Sequence, residues 1–130
     1  MHHRKPAENM LWVILFFLAA TFGFNACSDT NNVSGPNGAP VANAGPDQGS
    51  IRPGTLVTLN GRASSDPNGN PLTYRWSFIS RPPGSAAVLS STTSVSPTFT
   101  VDSIGTYVVE LIVHDGTVGS AADSVTITSP

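Results

Sequence analysis

The chain has 130 residues, of which 11% are charged, and this length is enough for one hydrophobic core. After residue 26 it carries four arginines, no lysine and seven carboxylates, a net charge of about −3. Such a surface cannot neutralise a run of phosphates, which excludes nucleic-acid binding. The same part holds 28 serines and threonines, 11 glycines and 10 prolines. These residues favour strands and turns over helix interiors, so an all-β domain is expected rather than a helical bundle.

The N-terminal segment has the organisation of an export signal. Arg4 and Lys5 precede an apolar run over residues 10–24. At about 15 residues this run is shorter than the roughly 20 needed to span a bilayer. A basic region, a short apolar region and small residues near its end are typical of a secretory signal peptide, which we assign to residues 1–26.

The only cysteine of the chain, Cys27, directly follows this segment, so no disulfide can form within the chain. Phe24-Asn25-Ala26-Cys27 resembles the lipobox of bacterial lipoproteins: Ala26 matches the small residue before the cysteine, while Phe24 and Asn25 differ from the usual residues. The resemblance implies that the Cys27 sulfur receives a diacylglycerol, which with further acylation holds a protein firmly on a membrane. Because Ser28 rather than Asp follows, the pattern implies the outer membrane of a Gram-negative cell.

A polar stretch separates this anchor from the rest of the chain. Residues 28–38 contain a single large apolar residue among Ser, Asn, Asp, Thr, Gly and Pro. Such a composition cannot bury enough apolar surface to fold. We predict a lipidated cysteine with a flexible tether over 27–38 and a folded domain over 39–130.

From residue 39 onward apolar residues recur with a period of two between Gly, Pro, Asn and Asp. This alternation indicates β-strands separated by turns. About seven strands are predicted, or eight if the second is counted separately, at 40–44, 48–51, 55–60, 72–80, 86–89, 96–101, 105–114 and 119–128. Strands at this spacing are typical of a β-sandwich.

The alternation also predicts the core. It places Tyr74 and Trp76 on one face of their strand, and Tyr107, Val109 and Leu111 on one face of theirs. We expect Trp76 in the middle and all five aromatic side chains after residue 26 to point inward. None would then be left to stack on a sugar, which argues against glycan binding.

A modest apolar patch lies on the opposite face of the strand 105–114. Its members are Val108 and Ile112. Two interpretations stay open: the patch contacts a partner, or a neighbouring strand covers it.

Three stretches resemble the PKD domain, in its PKD/chitinase-type branch. They are residues 40–48, residues 59–76 and the strand Gly105-Thr106-Tyr107 with the turn that ends it, residues 111–116. The segment 76–84, with Pro82-Pro83-Gly84, departs from the acidic turn of many members in the way that this branch does. The resemblance implies an immunoglobulin-like β-sandwich of antiparallel strands, and an extracellular spacer, adhesion or binding module.

Residues for catalysis are scarce. His114 is the only histidine after the signal, and it falls on the outward phase of its strand. Zinc hydrolysis needs two or three His or Cys ligands, and the carboxylates show no paired spacing of the kind that glycosidases use. We therefore expect no enzymatic activity and no obligatory cofactor.

A calcium site is the one metal hypothesis. Calcium takes six to eight oxygen ligands, and Asp66, Asn68 and Asn70 form an oxygen-rich loop that lies at the same end of the predicted sandwich as Asp115. Some PKD domains bind calcium near this loop, so the resemblance implies the same possibility here. The same residues are also turn formers through local hydrogen bonds, and both interpretations stay open.

Three functions are compatible with this sequence. The first is a non-catalytic envelope lipoprotein that uses one PKD-type module for adhesion to, or scaffolding of, an unknown surface protein or polysaccharide. The second is a binder of calcium or glycan. The third is a fragment of a longer multi-domain surface protein, because Ser129-Pro130 directly follows the last predicted strand.

Overall fold

Five strands form in residues 35–130, the part of the chain that the structure, a computed structural model, describes. The predicted signal peptide, Cys27 and the first part of the tether lie outside these residues. The strands are β1 (Leu56–Thr58), β2 (Thr73–Ser80), β3 (Thr98–Thr100), β4 (Gly105–His114) and β5 (Asp123–Ser129). One sheet has the order β2-β4-β5 and the other pairs β1 with β3, all antiparallel. The predicted all-β, immunoglobulin-like class is confirmed.

No helix long and apolar enough to cross a bilayer occurs between residues 35 and 130.

The central strand β4 positions most of the core. Trp76 of β2 lies opposite Leu111, and Tyr107 lies opposite Ile127 of β5. Because side chains alternate along a strand, every second residue of β4 from Tyr107 onward is buried against the β1-β3 sheet. Val108 and Ile112, on the other face, are half-buried on the outer side of β2-β4-β5.

Trp76 is 1% exposed, and Tyr107, Val109 and Leu111 are fully buried. The Trp76 indole N–H donates to the Ser94 carbonyl at 2.9 Å, which satisfies its one polar atom. A Cβ on Gly61 would come within 3.1 Å of the Trp76 ring, so a larger residue there would require the indole to give way by a few tenths of an ångström.

Two aromatic side chains differ from the expectation that all five point fully inward. Tyr74 and Phe78 are only half-buried, although both pack against the core. They lie towards the two ends of β2, where the opposing sheet is only three residues long and cannot cover them completely. The core itself is built on Trp76, Tyr107 and Phe99.

Fewer strands form than the alternation predicted. Residues 40–44 and 48–51 make only isolated bridges, Val41 with Ser65 and Gln48 with Ile127, and residues 86–89 make no strand. Proline has no backbone N–H for a continuous ladder, and prolines at 40, 46, 82 and 83 interrupt or flank these segments.

Residues 47–51, which precede β1, nevertheless cover the outer edge of β5. Gln48 donates its N–H to Thr126 and accepts from Thr128, and Asp47 Oδ1 accepts the Thr126 N–H at 2.8 Å. Exposed edges are prone to pair with other chains, and this edge is occupied from within the domain.

Candidate functional site

The loop 66–70, which precedes β2, is organised by one carboxylate. Asp66 Oδ2 accepts the backbone N–H groups of Asn68 and Asn70, both at 2.9 Å. Gly69 has φ +77°, a conformation that glycine adopts without strain, and its N–H donates to the Asp66 carbonyl. The loop is therefore a tight turn held by an aspartate side chain.

Asn37 joins this loop to the end of β4. Its side-chain Nδ2 donates to Asp115 Oδ2 at 2.7 Å, and its Oδ1 accepts from Asn70 Nδ2 at 3.0 Å. The N–H of Gly38 donates to Asn68 Oδ1 at 2.8 Å. The composition predicts a flexible tether up to residue 38, but Asn37 and Gly38 form hydrogen bonds within the domain, so the prediction is wrong for these two residues.

The four predicted calcium ligands are consequently brought to one end of the sandwich. Asp66 contacts Asn68 and Asn70 directly, and Asn37 links Asn70 to Asp115. Sequence reasoning missed Asn37, because nothing distinguishes it from the other polar residues of the linker. We call this set, Asn37, Asp66, Asn68, Asn70 and Asp115, the upper cluster.

Asp115 is the best-bonded carboxylate of the upper cluster. Its Oδ1 accepts the N–H groups of Thr117 and Val118, each at 2.7 Å, and the residue is 8% exposed. The Val118 amide, then the Asn37 side chain and the Thr117 amide, lower the pKa of Asp115 from 3.8 to about 2. The group is therefore ionised at neutral pH.

The oxygens of the upper cluster are mostly occupied by N–H groups. Asp66 Oδ1 is the one oxygen of the set that is buried without a hydrogen-bond partner in residues 35–130. An unpaired buried carboxylate oxygen is costly, and it is the atom here that fits a cation or a water molecule. The described residues contain no group of three or more His, Cys, Asp and Glu side chains suited to a metal.

His114 lies next to the upper cluster, and its side chain takes part in the turn that follows β4. Its ring is exposed, and its Nδ1 accepts the Gly116 N–H at 2.9 Å, which shapes the turn after β4. The Thr73 hydroxyl donates to the His114 carbonyl and not to its ring.

A second cluster lies at the start of β4. We call this set, Ser85, Ala86, Asp102, Ser103 and Tyr107, the lower cluster. The Tyr107 hydroxyl accepts the N–H groups of Asp102 and Ser103, at 3.2 and 2.9 Å, and it lies 2.8 Å from Asp102 Oδ1, to which it donates. This arrangement is the tyrosine corner of immunoglobulin-like sandwiches. The alternation along β4 predicts that Tyr107 lies in the core, but it does not predict the hydrogen bonds of its hydroxyl.

Asp102 connects the lower cluster to the segment after β2. Its two oxygens accept the Ser85 hydroxyl and the Ala86 N–H, both at 2.6 Å. The Ser85 hydroxyl, the Ala86 amide and the Tyr107 hydroxyl together lower the pKa of Asp102 from 3.8 to about 2. The lower cluster therefore closes two loops against the core.

Comparison with known proteins agrees with this geometry. Residues 44–128 match the family model described as "K319L-like, PKD domain". The solution structure of the PKD domain from KIAA 1837 protein is 32% identical, with a TM-score of 0.57, over 75% of this chain and 91% of that one. The PKD domain from human KIAA0319 is 20% identical, with the same TM-score, over 75% and 88%.

A third similar structure is a nucleoside hydrolase-related hypothetical protein from Saccharophagus degradans. It is 24% identical with a TM-score of 0.60, and the likeness covers 72% of this chain. This chain spans only about a quarter of that protein, 26% of its length, so the likeness concerns the fold of one part. No curated protein matches the sequence.

Proposed function

The chain belongs to the K319L-like PKD domain family, and from this premise we propose that it is a non-catalytic lipoprotein of the bacterial cell envelope. It displays one PKD-type module for protein–protein adhesion or scaffolding. The observation that carries the proposal is the family match over residues 44–128, because PKD domains are modules often found in surface and adhesion proteins. An immunoglobulin-like sandwich supplies rigid faces and edges rather than reactive groups.

The proposed attachment rests on Cys27. A lone cysteine directly after a short apolar run supports acylation of its sulfur, and acyl chains contribute about 0.8 kcal/mol per buried methylene to membrane binding. Ser28 favours the outer membrane of a Gram-negative cell as the destination. The partner is then a protein or polysaccharide of the same surface.

The proposed absence of catalysis is supported by what surrounds the reactive side chains. His114 uses its Nδ1 to hold a turn, and Asp102 and Asp115 use both of their oxygens to bind loop donors. A general base or nucleophile must reach the reacting group. Each of these groups is instead tied to the backbone or side chains around it.

Cross-linking on intact cells tests this proposal. We expect cross-linked peptides from envelope proteins, and an N-terminal peptide that begins at Cys27 and carries the mass of acyl chains. A Cys27→Ser variant should leave the membrane fraction and lose those cross-links. An unmodified thiol in a freely water-soluble chain would contradict the anchor, and cross-links that reach no envelope component would contradict the adhesion role.

A calcium-binding module is the second candidate, and the orphaned Asp66 Oδ1 is the observation that favours it. The test is thermal unfolding of the full chain in detergent, first with millimolar calcium and then with chelator. If calcium binds, the midpoint rises with calcium, and Asp66→Asn abolishes the rise. The matched variant Asp47→Asn, which removes a carboxylate at the edge of β5, should keep it. An unchanged midpoint in the unaltered chain eliminates this candidate.

A further inference from the structure

The outer edge of β2 is much less occupied than that of β5. One side of β2 pairs with β4 from Thr73 to Ser80, with a β-bulge or irregularity between Phe78 and Ser80. Beyond that ladder, β2 makes a single backbone hydrogen bond within residues 35–130, from the Trp76 N–H to the Thr92 carbonyl at 2.8 Å. The segment 88–95 therefore touches this edge at one point.

The direction of that bond shows which other groups face the edge. In a β-strand the N–H and C=O groups of successive residues point to opposite sides, so every second residue points the same way. Since the Trp76 N–H points away from β4, those of Tyr74 and Phe78 do so too. Within residues 35–130, neither N–H has a backbone partner on that side.

Two open grooves flank the contact between Trp76 and Thr92. One, of about 410 Å³, is lined by Thr73–Arg75, Thr93, Ile112 and His114. The other, of about 350 Å³, is lined by Trp76–Phe78, Arg81, Val88–Leu89 and Thr92. One groove is thus lined by Tyr74 and the other by Phe78, the two residues whose N–H groups have no backbone partner on that side within residues 35–130.

The charge along this edge is positive, in a domain that is acidic overall. Residues 35–130 contain six carboxylates and four arginines. Among the described residues that line the two grooves, Arg75, Arg81 and His114 are basic and none is a carboxylate. Glu110, opposite Ser77 on β4, lines neither groove.

The two arginines are set at the two ends of the edge. Arg75 is exposed near the start of β2. Arg81 is held by its bond to the Ala87 carbonyl and lies 5.1 Å from the Phe78 ring centroid. They are six positions apart, which in an extended chain is about 20 Å.

We propose that the edge of β2 between Tyr74 and Phe78 accepts an extended acidic peptide strand from the partner protein. The added strand pairs with the backbone of Tyr74 and Phe78 and replaces the Thr92 carbonyl at the Trp76 N–H, a mode of recognition known as strand addition. Two acidic side chains about six residues apart meet Arg75 and Arg81. The inference rests on the proposed adhesion function and identifies its surface and the chemistry of its partner.

The test uses the full chain in detergent and a synthetic peptide of alternating threonine and valine with two glutamates six positions apart. We expect the peptide to shift the amide NMR signals of Tyr74, Trp76 and Phe78 and to slow hydrogen exchange at Tyr74 and Phe78. A control peptide with lysines in place of the glutamates should bind about tenfold more weakly, because like charges then meet at both ends.

Matched variants test whether the acidic peptide binds at the edge of β2. Arg75→Glu should weaken binding of the acidic peptide about tenfold, whereas Arg52→Glu makes the same charge change away from both grooves and should leave it within about twofold. Val88, 71% exposed beside Arg81, offers a second pair: Val88→Glu should weaken binding and Val88→Lys should retain it.

Three results would overturn the inference. The first is an acidic peptide that leaves the Tyr74 and Phe78 amides unchanged, and the second is an equal loss of binding in Arg75→Glu and Arg52→Glu. The third is a peptide-free dimer that protects the same two amides, since a second copy of the chain would then be the occupant. Cell-surface cross-links that persist in Arg75→Glu and Val88→Glu would show that the adhesion function stands while this edge does not carry it.

Discussion

An aspartate with a lowered pKa lies next to each end of β4, but the two aspartates have different surroundings. At each end an aspartate accepts several hydrogen bonds, and at each end these bonds lower its pKa to about 2. In the lower cluster, Asp102 is bound by Tyr107, whose side chain is fully buried in the core. In the upper cluster, Asp115 accepts a hydrogen bond from Asn37, an exposed residue that lies before β1 in the chain.

The difference shows that a low carboxylate pKa alone does not identify a functional site. Every oxygen of Asp102 has a donor supplied by the fold, so the lower cluster is complete as a structural element. The upper cluster joins three segments distant in the sequence, and among the described residues it still leaves Asp66 Oδ1 without a partner. This buried oxygen without a donor, rather than the low pKa of Asp115, makes the upper cluster the better candidate for binding a cation.

The largest effect is expected when the lower cluster loses its hydroxyl. Tyr107→Phe removes the acceptor of the Asp102 and Ser103 N–H groups and the donor to Asp102 Oδ1. Buried groups left without partners cost about 1–3 kcal/mol. We expect the free energy of unfolding, measured by urea titration at neutral pH, to fall by about that amount.

Tyr74→Phe is the matched control for this change. It removes the same hydroxyl from a half-buried tyrosine at the other end of the sandwich, and surface-like changes of this kind stay within about 0.5 kcal/mol. Equal losses in the two variants would mean that the tyrosine corner does not stabilise this fold.

The acid dependence of stability compares the two aspartates directly. Both have pKa values lowered from 3.8 to about 2 in the folded chain, so their stabilisation is complete above about pH 4 and is lost as the pH falls through about 2. We expect the free energy of unfolding to decline over this range. Asp102→Asn and Asp115→Asn should each make the decline shallower.

At neutral pH the two variants should lose different amounts of the free energy of unfolding. Asp102 uses one oxygen for Ser85 and Tyr107 and the other for the Ala86 N–H, so an amide group cannot satisfy both sides. An asparagine at position 115 keeps its oxygen on the turn and loses only the contact with Asn37. The greater loss should therefore follow Asp102→Asn, and the reverse order would contradict the comparison.

The alternation of apolar and polar residues correctly predicted the long strands. The pattern in 105–114 predicted β4 and its buried residues, because a half-buried strand must alternate. It overestimated strands at 40–44, 48–51 and 86–89, where prolines remove ladder donors. The composition of the loop at 66–70 indicated a turn, but it did not show that Asn37 closes it, because that bond depends on where a distant segment passes.

The smallest effect tests whether the N-terminal segment belongs to the upper cluster. Asn37→Ala removes one donor to Asp115 and one acceptor for Asn70, both at a partly exposed place, and should cost about 0.5–1 kcal/mol. Because the Asn37 side chain is one cause of the low pKa of Asp115, that pKa should rise towards 3.8 in an NMR titration. Asn60→Ala, which breaks only a local bond to the Arg62 N–H, should leave it unchanged. If the pKa of Asp115 is the same in both variants, the segment merely passes the cluster, and Thr117 and Val118 alone hold the carboxylate.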